Sequence, residues 1–286
     1  MTITCSTASD TIERLPCGAV IQHGAYNDRI YLMQAGSDPS ADLPEVLIPM
    51  AERMGYSKIF AKIPEARGDT FEQADFVQEG SIPDFYNGVD DALFMAYFLS
   101  EDRAREERVD RLNEVRQIAQ SKRGAAIRPL DTARFHIKRC APADIERMAE
   151  IYRSVFPSYP FPIHDPGYLL KTMKSHVEYY GVEHAGALIA LSSAEVDRSA
   201  AAAEMTDFAT MPAFRGNGLA VHLLREMEHG MFRSGIKTSY TIARAVSAGM
   251  NITFAKLGYR FGGRLKNNTN ISGSIESMNL WYKELV

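Results

Sequence analysis

The spacing of hydrophobic and polar residues predicts alternating strands and helices in the first hundred residues. Three apolar runs predict strands, at 30–34, 57–63 and 92–99. Two stretches with helical spacing predict helices, at 43–53 and 71–76. A glycine-containing stretch after the second helix predicts one more strand. The order strand, helix, strand, helix, strand, strand indicates an α/β fold built on a mixed sheet, an α+β arrangement.

The second half of the chain repeats these kinds of element. Its predicted strands lie at 135–139, 177–184, 185–193, 204–211 and 235–244. Its predicted helices lie at 141–156, after the turn at 215–220, and at 247–257. With an offset of 183, five residues of the first half fall on like residues of the second: Phe71, Phe76, Gly80, Met95 and Phe98 on Phe254, Tyr259, Gly263, Met278 and Trp281. We infer two related α/β halves.

A charged segment separates the two halves. Residues 101–123 are charged almost throughout, and their narrow apolar stripe predicts a solvated helix that lies on one domain: Val109, Leu112, Val115 and Ile118. A partner-binding coiled coil is an alternative that the short length disfavours. We therefore expect a first domain at 1–100, a helical connector at 101–133 and a second domain at 134–286.

The composition is that of an ordinary soluble globular protein, with 45% apolar and 24% charged residues in a chain of 286. No apolar run approaches the ~20 residues of a membrane span, so we expect no membrane partner and a cytoplasmic location. The net charge of −4 argues against a nucleic-acid partner. The three cysteines lie far apart and the histidines show no paired helical spacing, so we expect neither disulfides nor a metal site.

The most informative stretch for chemistry is the turn at 215–220, which follows a predicted strand and begins a helix. Its small residues let the backbone approach a ligand closely, and the first N–H groups of a helix point at an anion with the helix dipole behind them. The glycines lack the spacing of a dinucleotide-binding fingerprint, and no Gly-Lys-Ser/Thr follows as in a Walker loop. The turn therefore predicts a phosphate site of another type.

The turn reads Arg-x-x-Gly-x-Ala at Arg215, Gly218 and Ala220, and it resembles the acetyl-CoA loop of the GNAT superfamily of N-acetyltransferases. The resemblance implies a GNAT acyltransferase fold for the second half, preceded by a degenerate GNAT-like half that lacks this turn. It also implies acetyl-CoA as co-substrate, contacted by Phe208, Ala209, Thr210, Arg215, Gly216, Asn217, Gly218, Leu219 and Ala220. Backbone N–H groups at 208–210 would polarise the thioester carbonyl.

A second motif lies at 251–259. Its sequence, Asn-Ile-Thr-Phe-Ala-Lys-Leu-Gly-Tyr, resembles the GNAT helix that lies beside the pantetheine arm of the cofactor. The resemblance adds Asn251 and Phe254 to the expected acetyl-CoA contacts. Phe254 stands where the family often has the tyrosine that protonates the departing thiolate. Ser247 and Tyr259 are weaker substitutes, and a thiol with a pKa of about 8.5 can leave as a thiolate without them.

Acetylation of an amine needs a base, because an alkylammonium has a pKa of about 10.4. Glu204 is the first candidate, since it begins the strand next to the acetyl-CoA loop and matches the catalytic glutamate of several GNAT members. Asp207 is the second candidate, because strand alternation predicts that it lies on the opposite face from Glu204. The alternative for Glu204 is an exposed carboxylate at the end of a strand.

The loop at 156–162 is where the acceptor amine enters in GNAT enzymes. Its prolines stiffen it, and its aromatic residues Phe156, Tyr159 and Phe161 either line a cation site or close the core beneath a turn. These three residues are therefore expected substrate contacts.

Nearly the whole chain, the first half included, is similar to the β-lysine N6-acetyltransferases. Those enzymes acetylate the terminal amine of β-lysine to make Nε-acetyl-β-lysine, a compatible solute, in partnership with a lysine 2,3-aminomutase. The resemblance implies a small diamino acid substrate. It leads us to expect that the first half packs over the acceptor side, with Asp28, Arg29, Tyr31 or the segment 84–86 in the pocket.

Three alternatives stay open at this point. The acceptor could be another small amine, such as a polyamine or an amino-acid side chain, or the chain could be a non-catalytic acyl-CoA-binding sensor. The first half could also serve only to bury the sheet edge or to form a homodimer.

Overall fold

The structure is a computed structural model that describes residues 10–38 and 40–286. The strands of its first part are β1 (Thr11–Arg14), β2 (Val20–Gly24), β3 (Arg29–Gln34), β4 (Lys58–Pro64), β5 (Val77–Tyr86) and β6 (Asp90–Phe98). The helices of this part are α1 (Leu43–Met54), α2 (Gly68–Gln73), α3 (Glu101–Ala104) and α4 (Val109–Ser121). From β3 to β6 the elements follow the predicted order.

The second part follows the same plan with additional elements at its start. Its strands are β7 (His136–Arg139), β8 (Val177–His184), β9 (Ala187–Asp197), β10 (Ala202–Thr210), β11 (Thr238–Arg244), β12 (Arg260–Ile271) and β13 (Ser274–Glu284). Its helices are α5 (Ile145–Val155), α6 (Pro166–Met173), α7 (Leu219–Arg233) and α8 (Ala248–Lys256). Strands and helices both contribute, so the expected α/β class with a mixed sheet is confirmed.

All the described strands join one 13-stranded sheet, in the order β1-β2-β3-β4-β6-β5-β12-β13-β11-β10-β9-β8-β7. The order β3-β4-β6-β5 in the first half corresponds to β10-β11-β13-β12 in the second, read from opposite edges. In both halves the first two strands of this set are parallel, and every other described pairing is antiparallel. The corresponding strands therefore share order and direction.

The two halves meet at the pairing of β5 with β12, where Gly80 lies opposite Gly263. A Cβ atom at Gly80 would lie 2.9 Å from the carbonyl oxygen of Gly262, and one at Gly263 would clash with the backbone of Glu79. Only glycine allows the backbones to approach this closely. These two glycines are also one of the five pairs of like residues that the offset of 183 aligns in the sequence.

The helices cover the sheet and bury separate apolar clusters. Helix α1 begins at the cap formed by Asp42, whose side chain accepts a hydrogen bond from the backbone N–H of Glu45, and it ends at Gly55 with φ of 70°. Helix α4 packs on α8, and it buries Leu112, Val115 and Ala119 rather than the outer residues of the predicted stripe. No helix in the described ranges is long and apolar enough to span a bilayer.

A further apolar cluster is shared by both halves. It contains Phe60 and Phe85 from the first half and Tyr240 and Leu280 from the second, all nearly or fully buried. The Phe85 and Tyr240 rings meet edge to face with centroids 5.3 Å apart. This cluster packs the two half-sheets against each other, and some of its residues form the floor of the cavity described below.

Candidate active site

Strands β10 and β11 separate at the centre of the second half. They pair in parallel from Ala202 opposite Thr238 only as far as Glu204 opposite Tyr240. On its other side β10 follows β9 through a register shift between Thr206 and Ala209. A bulge of this kind bends the strand and re-aims its side chains. The result is a split between β10 and β11 that begins beside Glu204.

The turn at 215–218 lies just beyond the end of β10. Gly216 and Gly218 have φ of 83° and 71°, and a Cβ atom on either would meet nothing within 4 Å. Helix α7 begins after Gly218, and no described side chain caps its first turn. The exposed turn thus keeps its backbone N–H groups available to an anion, as the phosphate-site prediction requires.

A cavity of about 630 Å³ extends from the split across to the first half of the protein. Its wall contains the two expected bases Glu204 and Asp207, and also Phe208 and Phe254 from the expected acetyl-CoA contacts. It further contains five of the six expected substrate contacts: Arg29, Tyr31, Phe156, Tyr159 and Phe161. The fold therefore brings into one cavity residues that are as far as 225 positions apart in the sequence.

The remaining expected residues lie outside the cavity wall. Ala209 and Thr210 end β10, residues 215–218 form the turn beyond it, and Leu219 and Ala220 begin α7. Asp28 accepts a hydrogen bond from the hydroxyl of Ser57 and pairs with Arg103 at 3.4 Å, so it fastens the connector to the first half-sheet. The segment 84–86 is the end of β5, where Asp84 is exposed and Phe85 and Tyr86 belong to the apolar cluster that both halves share.

Asn251 is fully buried and holds the loop before α8 in place. Its amide nitrogen donates to the carbonyls of Arg244 and Ser247 at 2.9 and 2.8 Å. Its amide oxygen accepts from Asn279 and Trp281, each at 2.8 Å. These four bonds satisfy both donors and both acceptor sites of the amide. Asn251 therefore holds the loop before α8 against β13 and does not line the cavity.

Glu204 lies at the point where the split begins, opposite Glu195 of β9. Burial raises the pKa of Glu204 to about 7, opposed by the cation of Lys62 and reinforced by Asp207. Burial together with the charges of Glu204 and Asp207 raises the pKa of Glu195 well above its ordinary value. Two adjacent carboxyl groups thus share one poorly solvated wall, and a pKa near neutrality suits a general base.

Asp207 lies on the same cavity wall as Glu204, and the prediction that it faces the opposite side is wrong. The bulge and its own φ of 55° rotate its side chain inward. One carboxylate oxygen accepts from the hydroxyl of Tyr159 and the other from Ser193, both at 2.5 Å. Asp207 therefore fastens the loop at 156–162, the acceptor loop, to the sheet. Glu204 in turn accepts hydrogen bonds from the Tyr240 hydroxyl and from the backbone N–H of Ile242 on β11.

Lys62, Tyr240 and Glu195 line the cavity next to Glu204 and were not expected from the sequence. The Lys62 ammonium is buried, donates to the Tyr240 hydroxyl at 3.3 Å, and lies over the Phe85 ring at 5.3 Å. Burial lowers the pKa of Lys62, opposed by the charge of Glu204. The one signal in the sequence is a lysine inside an otherwise apolar strand, Lys-Ile-Phe-Ala-Lys-Ile-Pro.

Phe254 packs its ring edge to face against Phe208 at 5.6 Å and against Tyr259 at 5.0 Å. The Tyr259 hydroxyl is buried and bonded to Ser239, outside the cavity wall. Of the two substitute proton donors, only Ser247 lines the cavity. Within the described ranges, no group of three or more His, Cys, Asp or Glu residues is placed to hold a metal ion.

Comparison with known proteins agrees with this geometry. A family model described as the acetyltransferase (GNAT) family matches residues 145–259. A β-lysine N(6)-acetyltransferase of Methanococcus maripaludis is 39% identical over 93% of this chain and 96% of its own length. The N-acetyltransferase YodP of Bacillus subtilis is 31% identical over the same shares.

Two further proteins are similar to this chain. A β-lysine N(6)-acetyltransferase of Methanosarcina mazei is 33% identical over 82% of this chain and 93% of its own. Among solved structures, the spermidine N-acetyltransferase of Vibrio cholerae in complex with CoA and spermine overlays 54% of this chain and 97% of its own, with a TM-score of 0.47 and 16% identity. By its full-length relatives and its matched family model, this chain is an N-acetyltransferase and belongs to the GNAT family.

Proposed function

We propose that this enzyme transfers the acetyl group of acetyl-CoA to the terminal, N6 amine of β-lysine. The observation that carries the proposal is the cavity between the halves, which combines carboxylates from the second half with a buried cation, Arg29, from the first. A diamino acid carries both charges that such a wall can pair. Two relatives named for β-lysine acetylation match the chain over both halves, which supports the same choice.

Acetyl-CoA is the co-substrate in this proposal. Its pyrophosphate would lie at residues 215–220, where the glycines leave the backbone uncovered at the start of α7. Its thioester would enter the split, where Phe208 and Phe254 form an apolar edge. Backbone N–H groups at 208–210 would donate to the carbonyl oxygen as negative charge develops there.

Glu204 serves as the general base. The amine nitrogen attacks the carbonyl carbon of the thioester, and Glu204 accepts the proton that the nitrogen loses. The bond from that carbon to sulfur breaks, and CoA leaves as a thiolate. A carboxylate with a pKa of about 7 is partly ionised at neutral pH and still basic enough for this step. Asp207 takes the supporting role, because its two oxygens bind Tyr159 and Ser193 at 2.5 Å and so hold the acceptor loop on the sheet.

The acceptor loop forms the wall against which the alkyl chain of the substrate rests. Tyr159 is fixed by its hydrogen bond to Asp207, and its ring packs on Phe156 with centroids 4.9 Å apart. Phe161 lines the same wall, and Tyr31 faces it from the first half. Aromatic rings of this kind bury a methylene chain and attract an ammonium group.

The first half is proposed to be a degenerate GNAT-like domain that now covers the acceptor side. Its strand order matches that of the second half, and its β3 and β4 supply the cavity residues Arg29, Tyr31, Phe60 and Lys62. It has no glycine turn like that at 215–218 before a long helix. One half would then hold acetyl-CoA, while the other holds the far end of the acceptor.

A comparison of acceptor amines tests the proposed function. We expect kcat/KM for β-lysine to exceed that for spermidine by at least about 100-fold, because a site with buried charged groups rejects an analogue that leaves them unpaired. α-Lysine should fall between the two, because its second amine is displaced by one carbon. Steady-state assays of the purified enzyme with acetyl-CoA give the three values. Equal or better turnover of spermidine would overturn the assignment.

We also propose that the product serves as a compatible solute. Acetylation removes one positive charge from β-lysine and leaves a zwitterion without net charge. We expect the cellular content of Nε-acetyl-β-lysine to rise with external salt in the wild-type strain and to vanish in a strain lacking this enzyme. Product levels that do not respond to salt would contradict this role while leaving the reaction itself untouched.

A further inference from the structure

Three polar side chains on one side of the cavity carry buried atoms without a hydrogen-bond partner in the described structure. These atoms are both amide atoms of Gln22, the Nε of Arg29 and the Oδ1 of Asn268. All three residues line the cavity, and their exposed fractions are 1%, 4% and 1%. Unpaired buried polar groups are costly and rare in folded proteins. Four such atoms together in one cavity wall indicate a surface that is completed by a ligand.

The three residues form a single patch. Gln22 on β2 lies opposite Tyr31 on β3, and Arg29 is two positions before Tyr31, on the same face of the sheet. The Nη1 group of Arg29 donates to the backbone carbonyl of Asn268 and to Thr269 Oγ1. The patch therefore spans the contact between the first half and the long strand β12 of the second.

The Arg29 guanidinium is held in a fixed orientation with one edge unused. Its central carbon lies over the rings of Tyr31 and Phe60, at 5.4 and 5.5 Å from their centroids. Its Nη1 is occupied, whereas no described group accepts from Nε or forms an ion pair with this cation. The edge formed by Nε and Nη2 presents two parallel donors, which is the geometry that binds a carboxylate through both oxygens.

Gln22 and Asn268 add the complementary groups. The Gln22 amide nitrogen can donate to the same carboxylate, while the amide oxygens of Gln22 and Asn268 can accept from an ammonium group. A carboxylate beside an ammonium is the head group of an amino acid. A polyamine has no carboxylate and would leave the Arg29 cation unpaired.

We infer that Gln22, Arg29 and Asn268 form a subsite for the amino-acid head of the acceptor, with Arg29 binding its carboxylate. This inference rests on the proposed function, since it names the residues that hold the far end of the diamino acid while its terminal amine reaches Glu204. The subsite belongs mainly to the first half, so it gives that half a direct role in substrate selection. Arg29 and Gln22 determine specificity and take no part in the chemical step.

The test compares β-lysine with β-lysinamide, in which a neutral amide replaces the carboxylate. In Arg29→Gln we expect KM for β-lysine to rise about 100-fold with little change in kcat, because a buried charge-assisted pair is lost. The KM for β-lysinamide should change by less than about threefold, since that substrate has no carboxylate to lose. The preference for β-lysine over β-lysinamide should therefore collapse.

Gln22→Leu provides a second variant that separates binding from folding. Leucine has a similar size and removes two unpaired polar atoms, so the melting temperature should stay at or above that of the wild type while KM for β-lysine rises about 10-fold. The matched controls are Arg14→Gln and Gln34→Leu, at exposed residues on the rim of the same cavity. Both controls should keep the wild-type KM and the wild-type preference.

The outcomes distinguish this inference from the proposed function. If the wild type turns over spermidine as well as β-lysine, the proposed function and the subsite both fail. If the wild type prefers β-lysine but both variants keep its preference over β-lysinamide, only the subsite is overturned. Lower melting temperatures with an unchanged preference would show that Gln22 and Arg29 hold the sheet together and bind no substrate.

Discussion

Glu204→Gln should lower kcat/KM for β-lysine by about 100- to 10,000-fold at neutral pH, which is the usual contribution of a general base. Glutamine keeps the size of the side chain and its place at the end of the paired region of β10 and β11, but it cannot accept the proton of the amine. The loss should shrink as the pH rises toward the pKa of the amine, because more of the acceptor is then already deprotonated.

The pH dependence and the stability of this variant provide separate checks. Burial raises the pKa of Glu204 to about 7 from an ordinary 4.5, so the folded protein binds this proton more tightly than the unfolded chain. The stability contributed by this group is therefore complete at low pH and is lost as the pH rises through about 7. The Gln variant cannot ionise, so at pH 8 its melting temperature should equal or exceed that of the wild type.

Glu195→Gln is the matched control for Glu204→Gln. Glu195 lies directly opposite Glu204, and burial together with the neighbouring carboxylates raises its pKa, which favours the neutral carboxyl that glutamine resembles. We expect kcat/KM within about threefold of the wild type for this control. Wild-type activity in Glu204→Gln, or a ratio to wild type that is constant across pH, would assign the base to another group.

The local elements and the glycine turn at 215–218 could be predicted from the sequence, because each has its own periodicity or sequence motif. The contact that unites the halves could not. Strands β5 and β12 meet where Gly80 lies opposite Gly263, and the repeat showed these two glycines as equivalent positions without indicating that they touch. Pairing between residues so distant in sequence depends on the shape of both half-sheets, which no local pattern records.

The first two strands were also missed, and with them part of the cavity. Strand β1 is four residues long and fully exposed, and β2 has five residues of mixed polarity, so neither shows a clear alternation. Gln22 lies on β2, and its significance depends on having no hydrogen-bond partner, which is a property of the folded structure alone. Arg29 was expected in the pocket from the resemblance of the whole chain, and the structure places it in the cavity wall.

The polar residues around Glu204 illustrate a different limit. Glu195 and Lys62 lie in separate halves, each inside a largely apolar strand, and only the order of strands in the sheet brings them to one cavity. Asp207 was placed on the wrong face because alternation assumes a regular strand, whereas a bulge lies between Thr206 and Ala209. Chemistry that depends on neighbouring charges therefore becomes visible only with the fold.

Gly218→Val should raise the dissociation constant of acetyl-CoA by about 1,000-fold, as expected when two or more charge-assisted hydrogen bonds to a phosphate are lost. Gly218 has φ of 71° and forms the N-cap of α7. Valine is β-branched and strongly disfavours this left-handed conformation, so the turn must change its backbone path. The N–H groups at the start of α7 would then no longer point at the pyrophosphate. Titration calorimetry with acetyl-CoA measures the loss.

Gly235→Val is the matched control at the opposite end of α7. Gly235 is also exposed, has φ of 83°, and leaves a new Cβ atom nothing to meet within 4 Å, so valine imposes the same backbone strain there. We expect both variants to lose a similar amount of stability, but only Gly218→Val to lose affinity for acetyl-CoA. Equal affinities in the two variants would show that the turn does not bind the pyrophosphate, because the strain common to both would then account for every difference from the wild type.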